Sequence, residues 1–453
     1  MQLDINHIIH EVSTIVAGWP LIIFLGVASF FCTIAFGFVQ FRYFLSSWKM
    51  TLFPSKDEVE KKEGQLSPLQ AFLNSLGMSM GNGVLAGVAT AIYAGGPGSL
   101  LWLFLTGMLL MSVRFAEVYL SLHFQDVKAH AGGPMVYIKQ LFGGHYLAYI
   151  YAIFAFLYIL VVGNAIQTNA ISLSMQTVWN TQPIIIAVLS FIFTLYVMLG
   201  GAKRIIALSD AIVPLKVILF FISVFIVLSY HWQEIIPSLA LIFNSAFSYA
   251  AFAGGTLGFT VQQAVRFGML RSLMSSEAGL GTSGIVFGSI DSDKPIEDSL
   301  MAMLTIFISS CICFILGLAI IACGVWQEGH TSTALVITSF NTVFGSIAGW
   351  VVVVLSIAFG SGLIVSYGFV ARSVWGYLTG GRFAFIGSLL YCSFSFLGAS
   401  LVNPHVLWLL GDIINAGMIL INIPTIIILS NVIRSALRAY AAKNKIRKDV
   451  NVT

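Results

Sequence analysis

Charge is scarce in this chain. Asp, Glu, Lys and Arg make up 9% of its 453 residues, against about a quarter in a soluble domain. Hydrophobic residues make up 58%, so an ordinary water-soluble fold is excluded. The longest polar insert is only PSKDEVEKKEGQ, residues 54–65. Cysteine is nearly missing. Cys32, Cys311, Cys313, Cys323 and Cys392 all lie in or near apolar segments, which argues for buried hydrophobes and against a disulfide framework. The eight histidines fall mostly in loops and near segment ends, without HExxH or GxSxG settings, so no hydrolase or metal motif is legible and no enzyme is expected. A pore-lining ring of like residues is missing too, which argues against a channel. The N-terminus carries Asp4 and Glu11 but no basic n-region, so the first hydrophobic segment is expected to be retained.

What is present is a series of long apolar runs. A bilayer core about 30 Å thick needs about 20 helical residues per crossing. Eleven crossings are expected near 17–39, 68–95, 99–122, 145–179, 184–199, 206–230, 238–268, 299–324, 347–376, 384–402 and 406–433. The expected class is an all-α polytopic membrane protein.

The net charge of +4 is no nucleic-acid signal, because its distribution explains it. Basic residues fill alternate connections: Arg42 to Lys62, then Lys128 and Lys139, Lys203 and Arg204, Arg271 and Lys294, Arg372 and Arg382, and the tail from Arg434 to Lys448. The intervening connections hold none. The positive-inside rule then puts the N-terminus outside and the C-terminus in the cytoplasm. Only Arg114, Lys216 and Arg266 fall within hydrophobic segments.

With the first crossing set aside, ten divide into five and five. The expected units are 1–65 (first helix and linker), 66–235, 236–435 and a basic tail, 436–453. Odd-numbered halves have opposite orientation, the inverted repeat of many secondary transporters. Glycines interrupt the first crossing of each half. Gly81, Asn82 and Gly83 sit mid-crossing in one, and Gly254, Gly255, Thr256 and Gly258 in the other. Backbone unwinds at membrane depth only where it is buried or lines a cavity. A half-helix N-terminus there can hold a carboxylate, and freed carbonyls can hold an ammonium or a cation. The competing reading is close helix packing, since Gly83/Gly87 and Gly254/Gly258 both form GxxxG.

Other polar residues at membrane depth need partners. Gln167 and Asn169 lie on one long helix, facing either other helices or a substrate cavity. Ser361 can bond its own helix or serve as a cation ligand. Lys216 follows Pro214 in AIVPLKVILFF and is the most unusual residue. It either snorkels to the interface or is buried as a functional amine. Arg114 and Glu117, three apart on a helix, read as a structural ion pair. Asp412 and Glu277 read as caps or braces at helix ends.

The segment LSPLQAFLNSLGMSMGNGVLAGVATAIYAGGPGSLLW (66–102), together with AGGTLGF…RSLMSSEAGLGT (253–282), resembles the signatures of the alanine or glycine:cation symporter family; IQTNA (166–170) and LGDII…NIPTIIILS (410–430) support it. The resemblance implies a leucine-transporter-type core of ten helices behind an N-terminal helix, the first and sixth core helices being broken. It also implies import of alanine, glycine or a similar small neutral amino acid, usually with sodium, across the inner (plasma) membrane. No cofactor is implied beyond Na+ or H+ as coupling ion; the partners are the substrate, the cation and the bilayer, not nucleic acid. Under it, residues 81–83 and 254–258 line the substrate, Gln167 touches it, and Ser361 contributes to a sodium or substrate site. The chain departs from the family pattern at Val84, Gly360, Ser276 and Lys216. Within this fold superfamily a lysine amine can stand where sodium would sit, so proton-coupled or sodium-independent transport is the alternative. A non-transporting sensor on the same fold is the rival class.

Overall fold

A computed structural model describes residues 18–53, 66–126, 132–247, 261–401 and 405–450. The extended elements among them are helices: α1 (Trp19–Ala35), α2 (Phe44–Leu52), α3 (Pro68–Ser79), α4 (Asn82–Gly95), α5 (Ser99–His123), α6 (Gly144–Leu160), α7 (Ile166–Trp179), α8 (Pro183–Leu199), α9 (Gly201–Tyr230), α10 (Ile235–Phe247), α11 (Val261–Ser276), α12 (Thr282–Phe287), α13 (Pro295–Ala322), α14 (Ser332–Phe344), α15 (Ala348–Thr379), α16 (Ala384–Ser400), α17 (His405–Ile428) and α18 (Ser430–Val450).

Six helical stretches among the described residues are long and apolar enough to cross a membrane: Ser99–His123, Gly144–Trp179, Gly201–Tyr230, Pro295–Ala322, Ser332–Thr379 and Val406–Ile428. The pair α3 and α4 makes a further span, bent by 44° at its break. The apolar helices α1, α8 and α16 are shorter. Helix starts follow local chemistry. Before α3, Ser67 accepts from the Gln70 amide while Gln70 bonds back to Ser67, a capping box ahead of Pro68.

The stretch from α6 to α7 runs as one helix through a π turn at Val161–Ala165. Such a turn rotates the helix face by inserting a residue and recurs at functional sites. It falls just before Gln167.

One expected crossing is not as read. The described ends of the segment 238–268 do not lie at opposite faces of the bundle, and its residues 248–260 fall outside the described residues. At its start, α10 ends with the Ala246 carbonyl accepting from Trp102 Nε1 at 3.1 Å. At its far end, a Cβ on Gly268 would lie 2.5 Å from the Ser99 carbonyl. Both ends therefore sit beside the start of α5, at one face of the bundle. The helices α11 and α12 follow that face. Along α5, Ser99 meets Gly268, Arg114 meets Ser276, Glu117 meets Gly281, and Ser121 meets Gly284. The numbers rise together, so α11 and α12 run beside α5 in the same direction and form one helix broken at 277–281. Gly254, Gly255, Thr256 and Gly258 lie outside the described residues.

Candidate functional site

The break between α3 and α4 follows from Met80 and Gly81, both outside the helical range (φ −119°, ψ 66° and φ −100°, ψ −174°), Gly81 being extended. Ending a helix frees its last carbonyls and exposes the next helix's first amides. Five of these groups have partners that can be traced. The Gly77 and Met80 carbonyls accept from Lys216 Nζ at 2.9 and 2.8 Å. The Ser79 carbonyl accepts from Ser309 at 3.3 Å. At the other half-helix, the Asn82 amide donates to Gln167 Oε1 at 2.9 Å, and the Val84 amide to the Gly81 carbonyl at 2.9 Å. Of the amides expected to face a carboxylate, Asn82's is thus already occupied. The Gly83 Cα faces open space: a Cβ there would meet nothing within 4 Å. At Gly81 a Cβ would lie 2.2 Å from Leu363 Cδ1 and 2.8 Å from Gln167 Oε1, so a larger residue there would displace both side chains.

The second break begins at Glu277, whose φ of 55° is left-handed, and continues through Gly279 and Gly281 at φ 91° and 80°. Left-handed backbone is easy for glycine and uncommon for glutamate. Buried polar contacts hold it. The Glu277 carboxylate accepts from Thr282 at 3.2 Å, and the Tyr367 hydroxyl lies close by. Arg114 donates to the Ser276 carbonyl at 2.5 Å. Glu117 Oε1 accepts from the Gly281 amide at 2.9 Å and from Asn422 at 3.0 Å. Tyr151 donates to the Leu280 carbonyl. Arg114 and Glu117 face each other at 3.9 Å with both side chains wholly buried, the ion pair their spacing suggests. Glu277 thus braces a helix end, as its sequence setting suggests, and does so at a buried break between α11 and α12.

The two breaks meet. Ser309 on α13 donates to Ser79 before the first break and to Ser275 before the second, at 3.3 and 3.1 Å. Ser75 and Ser283 bond directly at 2.5 Å. Around this junction a cavity with about 30 Å³ of water-accessible space is lined by Gly81, Gly83, Val84, Gln167, Arg271 and Glu277, with Trp408 closing one side. That is room for water; an amino acid enters only if the walls part.

Lys216 is 0% exposed and does not snorkel. Its ammonium stands at the C-terminal end of α3, where the helix dipole favours a cation. Glycines make its chamber. A Cβ on Gly362 of α15 would sit 3.0 Å from Nζ, and one on Gly77 would sit 2.2 Å from Ser366 Oγ. The Phe359 ring lies 5.7 Å away on the same helix. Ser361 instead donates to the Ala358 carbonyl of its own helix at 3.4 Å, and the α15 residue beside the lysine is Gly362. The hydroxyl absent at Gly360 has a structural counterpart: a Cβ there would lie 2.7 Å from Asn82 Nδ2. Asn169 turns away from the cavity and donates to the Gly398 and Leu401 carbonyls at 2.9 and 2.7 Å.

Sequence reasoning missed the break at 277–281 and the cavity side chains Glu277 and Arg271. The available signal was the pair Gly279 and Gly281 after a glutamate, flanked by Ser276 and Thr282. Arg271 reads from sequence as a loop cation, yet it lies within α11.

The whole chain, residues 2–453, matches the family model described as the sodium:alanine symporter family. An uncharacterized transporter of Haemophilus influenzae is 30% identical over 452 residues, covering 98% of each chain. The sodium/alanine symporter AgcS of Methanococcus maripaludis is 28% identical over 459 residues, covering 99% of each. Among solved structures, a Na+-coupled sialic acid symporter in a substrate-bound, outward-open state shares the fold at a TM-score of 0.52 and 14% identity, covering 86% of this chain and 81% of that one. The protein is a multi-pass membrane protein of a transporter family, not an enzyme. With a family match along its whole length, the chain belongs to the sodium:alanine symporter family.

Proposed function

We propose that this protein imports small neutral amino acids, such as alanine or glycine, by alternating access at the junction of the two breaks, and that the Lys216 ammonium stands in for a coupling sodium ion. The observation that carries the reading is the lysine's placement. Two carbonyls one helical turn apart, freed by a broken helix and pointed at one spot, are oxygen ligands suited to a hard cation. Here a covalently attached cation holds both, at 2.9 and 2.8 Å. A bare sodium ion has no place there while the ammonium does. Transport is then sodium-independent or proton-coupled.

The same reading takes the bundle as eleven crossings, the broken α11–α12 completing the series. The first helix stands apart and the rest form two inverted five-helix units, 66–235 and 236–435. Basic residues in alternate connections support an outward N-terminus and a cytoplasmic C-terminus in the inner (plasma) membrane. Small substrate size rests on the family's named substrate and on the tightness of the junction.

The test is uptake of labelled alanine into proteoliposomes, with each of the twenty amino acids as competitor. Competition confined to alanine, glycine and others of similar size supports the reading. Strong competition by large side chains overturns the substrate class. Binding without flux would point to a sensor instead.

A further inference from the structure

One cavity side chain is not absorbed by the coupling site. Arg271 lines the junction together with Gly83, Gln167 and Glu277. It is a cation within a membrane-protein helix, a setting that costs free energy and marks functional sites. Among the described residues its side-chain hydrogen-bond partner is the Met274 sulfur at 3.8 Å. A thioether is a weak acceptor and a guanidinium carries five donors, so most of its bonding capacity is unspent among the described residues. Asp412 on α17 and Cys313 on α13 are the titratable groups within its electrostatic reach. The opposite helix is shaped to receive it. On α4, a Cβ at Gly87 would lie 2.4 Å from Arg271 Cζ and 2.5 Å from Nε and Nη1. The Gly83/Gly87 pair, a helix-packing motif by sequence, here forms a slot for a guanidinium.

We propose that Arg271 is a substrate-binding residue that holds the carboxylate of the transported amino acid, with Glu277 facing its ammonium. This rests on the transport reading above and deepens it. The cavity offers one basic and one acidic side chain, Arg271 and Glu277, the complement of a zwitterion. The amide route to the carboxylate is narrowed because Gln167 occupies the Asn82 N–H at 2.9 Å. A bidentate guanidinium–carboxylate pair supplies the missing strength and orientation. Selection is then for an α-amino acid with a free carboxylate, and an amine or amide of the same size is a poor ligand.

The experiment measures binding of alanine and of alaninamide, which lacks the carboxylate, to purified full-length protein in detergent. The parent should bind alanine at least about 10-fold more tightly than alaninamide. Arg271→Gln should weaken alanine by about 10- to 100-fold and leave alaninamide nearly unchanged, collapsing the discrimination. Gly87→Ala provides a second variant. Its new methyl meets only the movable end of Arg271, so the protein should fold with the guanidinium displaced and alanine binding weakened. Equal loss of both ligands in these variants assigns Arg271 a structural role and overturns the proposal. So does an unchanged alanine affinity in Arg271→Gln. Should the parent bind and transport no amino acid at all, the transport reading fails and this assignment with it. Should it transport alanine while Arg271→Gln matches it, only the assignment fails.

Discussion

Replacing Lys216 by methionine is the sharpest perturbation of the coupling site. The side chain is wholly buried, and its ammonium makes two bonds, to Gly77 and Met80. Removing the ammonium strands two buried carbonyls, at about 1–3 kcal/mol each. Against that, a buried ammonium at membrane depth costs about 2.5–3.5 kcal/mol, and methionine relieves it. The two effects largely offset, so the net change should lie between about 1.5 kcal/mol of stabilisation and about 3.5 kcal/mol of destabilisation. Lys216→Met should therefore fold, which a monodisperse elution profile in detergent checks. Transport should not survive. The amine ties α9 to the end of α3 and sits against α15, so its loss removes charge-assisted bonds of about 1.5–3 kcal/mol each from whichever state makes them. Alanine uptake into proteoliposomes should fall at least about 10-fold, the equivalent of about 1.4 kcal/mol. A folded Lys216→Met variant with the parent's initial rate would refute the reasoning.

Other outcomes follow from the same contacts. Gln167→Ala should orphan the Asn82 amide at a cost of about 1–3 kcal/mol and raise the KM for alanine about 10-fold, read from initial uptake rates. Glu117→Gln should leave Arg114 a buried cation without its carboxylate; breaking such a pair costs about 3–5 kcal/mol, visible as a lower melting temperature in detergent.

Much of the helical layout is legible in the sequence because apolar length at membrane depth has few solutions. The expected spans 68–95, 99–122, 145–179, 184–199 and 347–376 fall within three residues of the helix ends at α3–α4, α5, α6–α7, α8 and α15. The first break is legible because glycines interrupt an otherwise unbroken apolar run. The second is not, for a physical reason. Hydropathy favours residues 238–268, so a crossing is expected there. The segment SSEAGLG looks like a polar helix end, yet it is buried: Ser276 is 1% and Glu277 3% exposed. Only long-range contacts to Arg114, Glu117 and Asn422 make that burial tolerable, and such partners lie far away in sequence. Arg271 escaped notice for the same reason. It counts as a loop cation until the position of α11 puts it opposite Gly87. Lys216 stood out because a lysine in an apolar run has few explanations, though which carbonyls it would meet depended on a break in another helix.

The central claim is that a lysine occupies the place of the coupling sodium ion. Its most direct test is alanine accumulation in proteoliposomes at fixed pH, with sodium on both sides replaced by potassium and then restored as an inward gradient. The account predicts the same initial rate with and without sodium. Accumulation that appears only with the sodium gradient would contradict it.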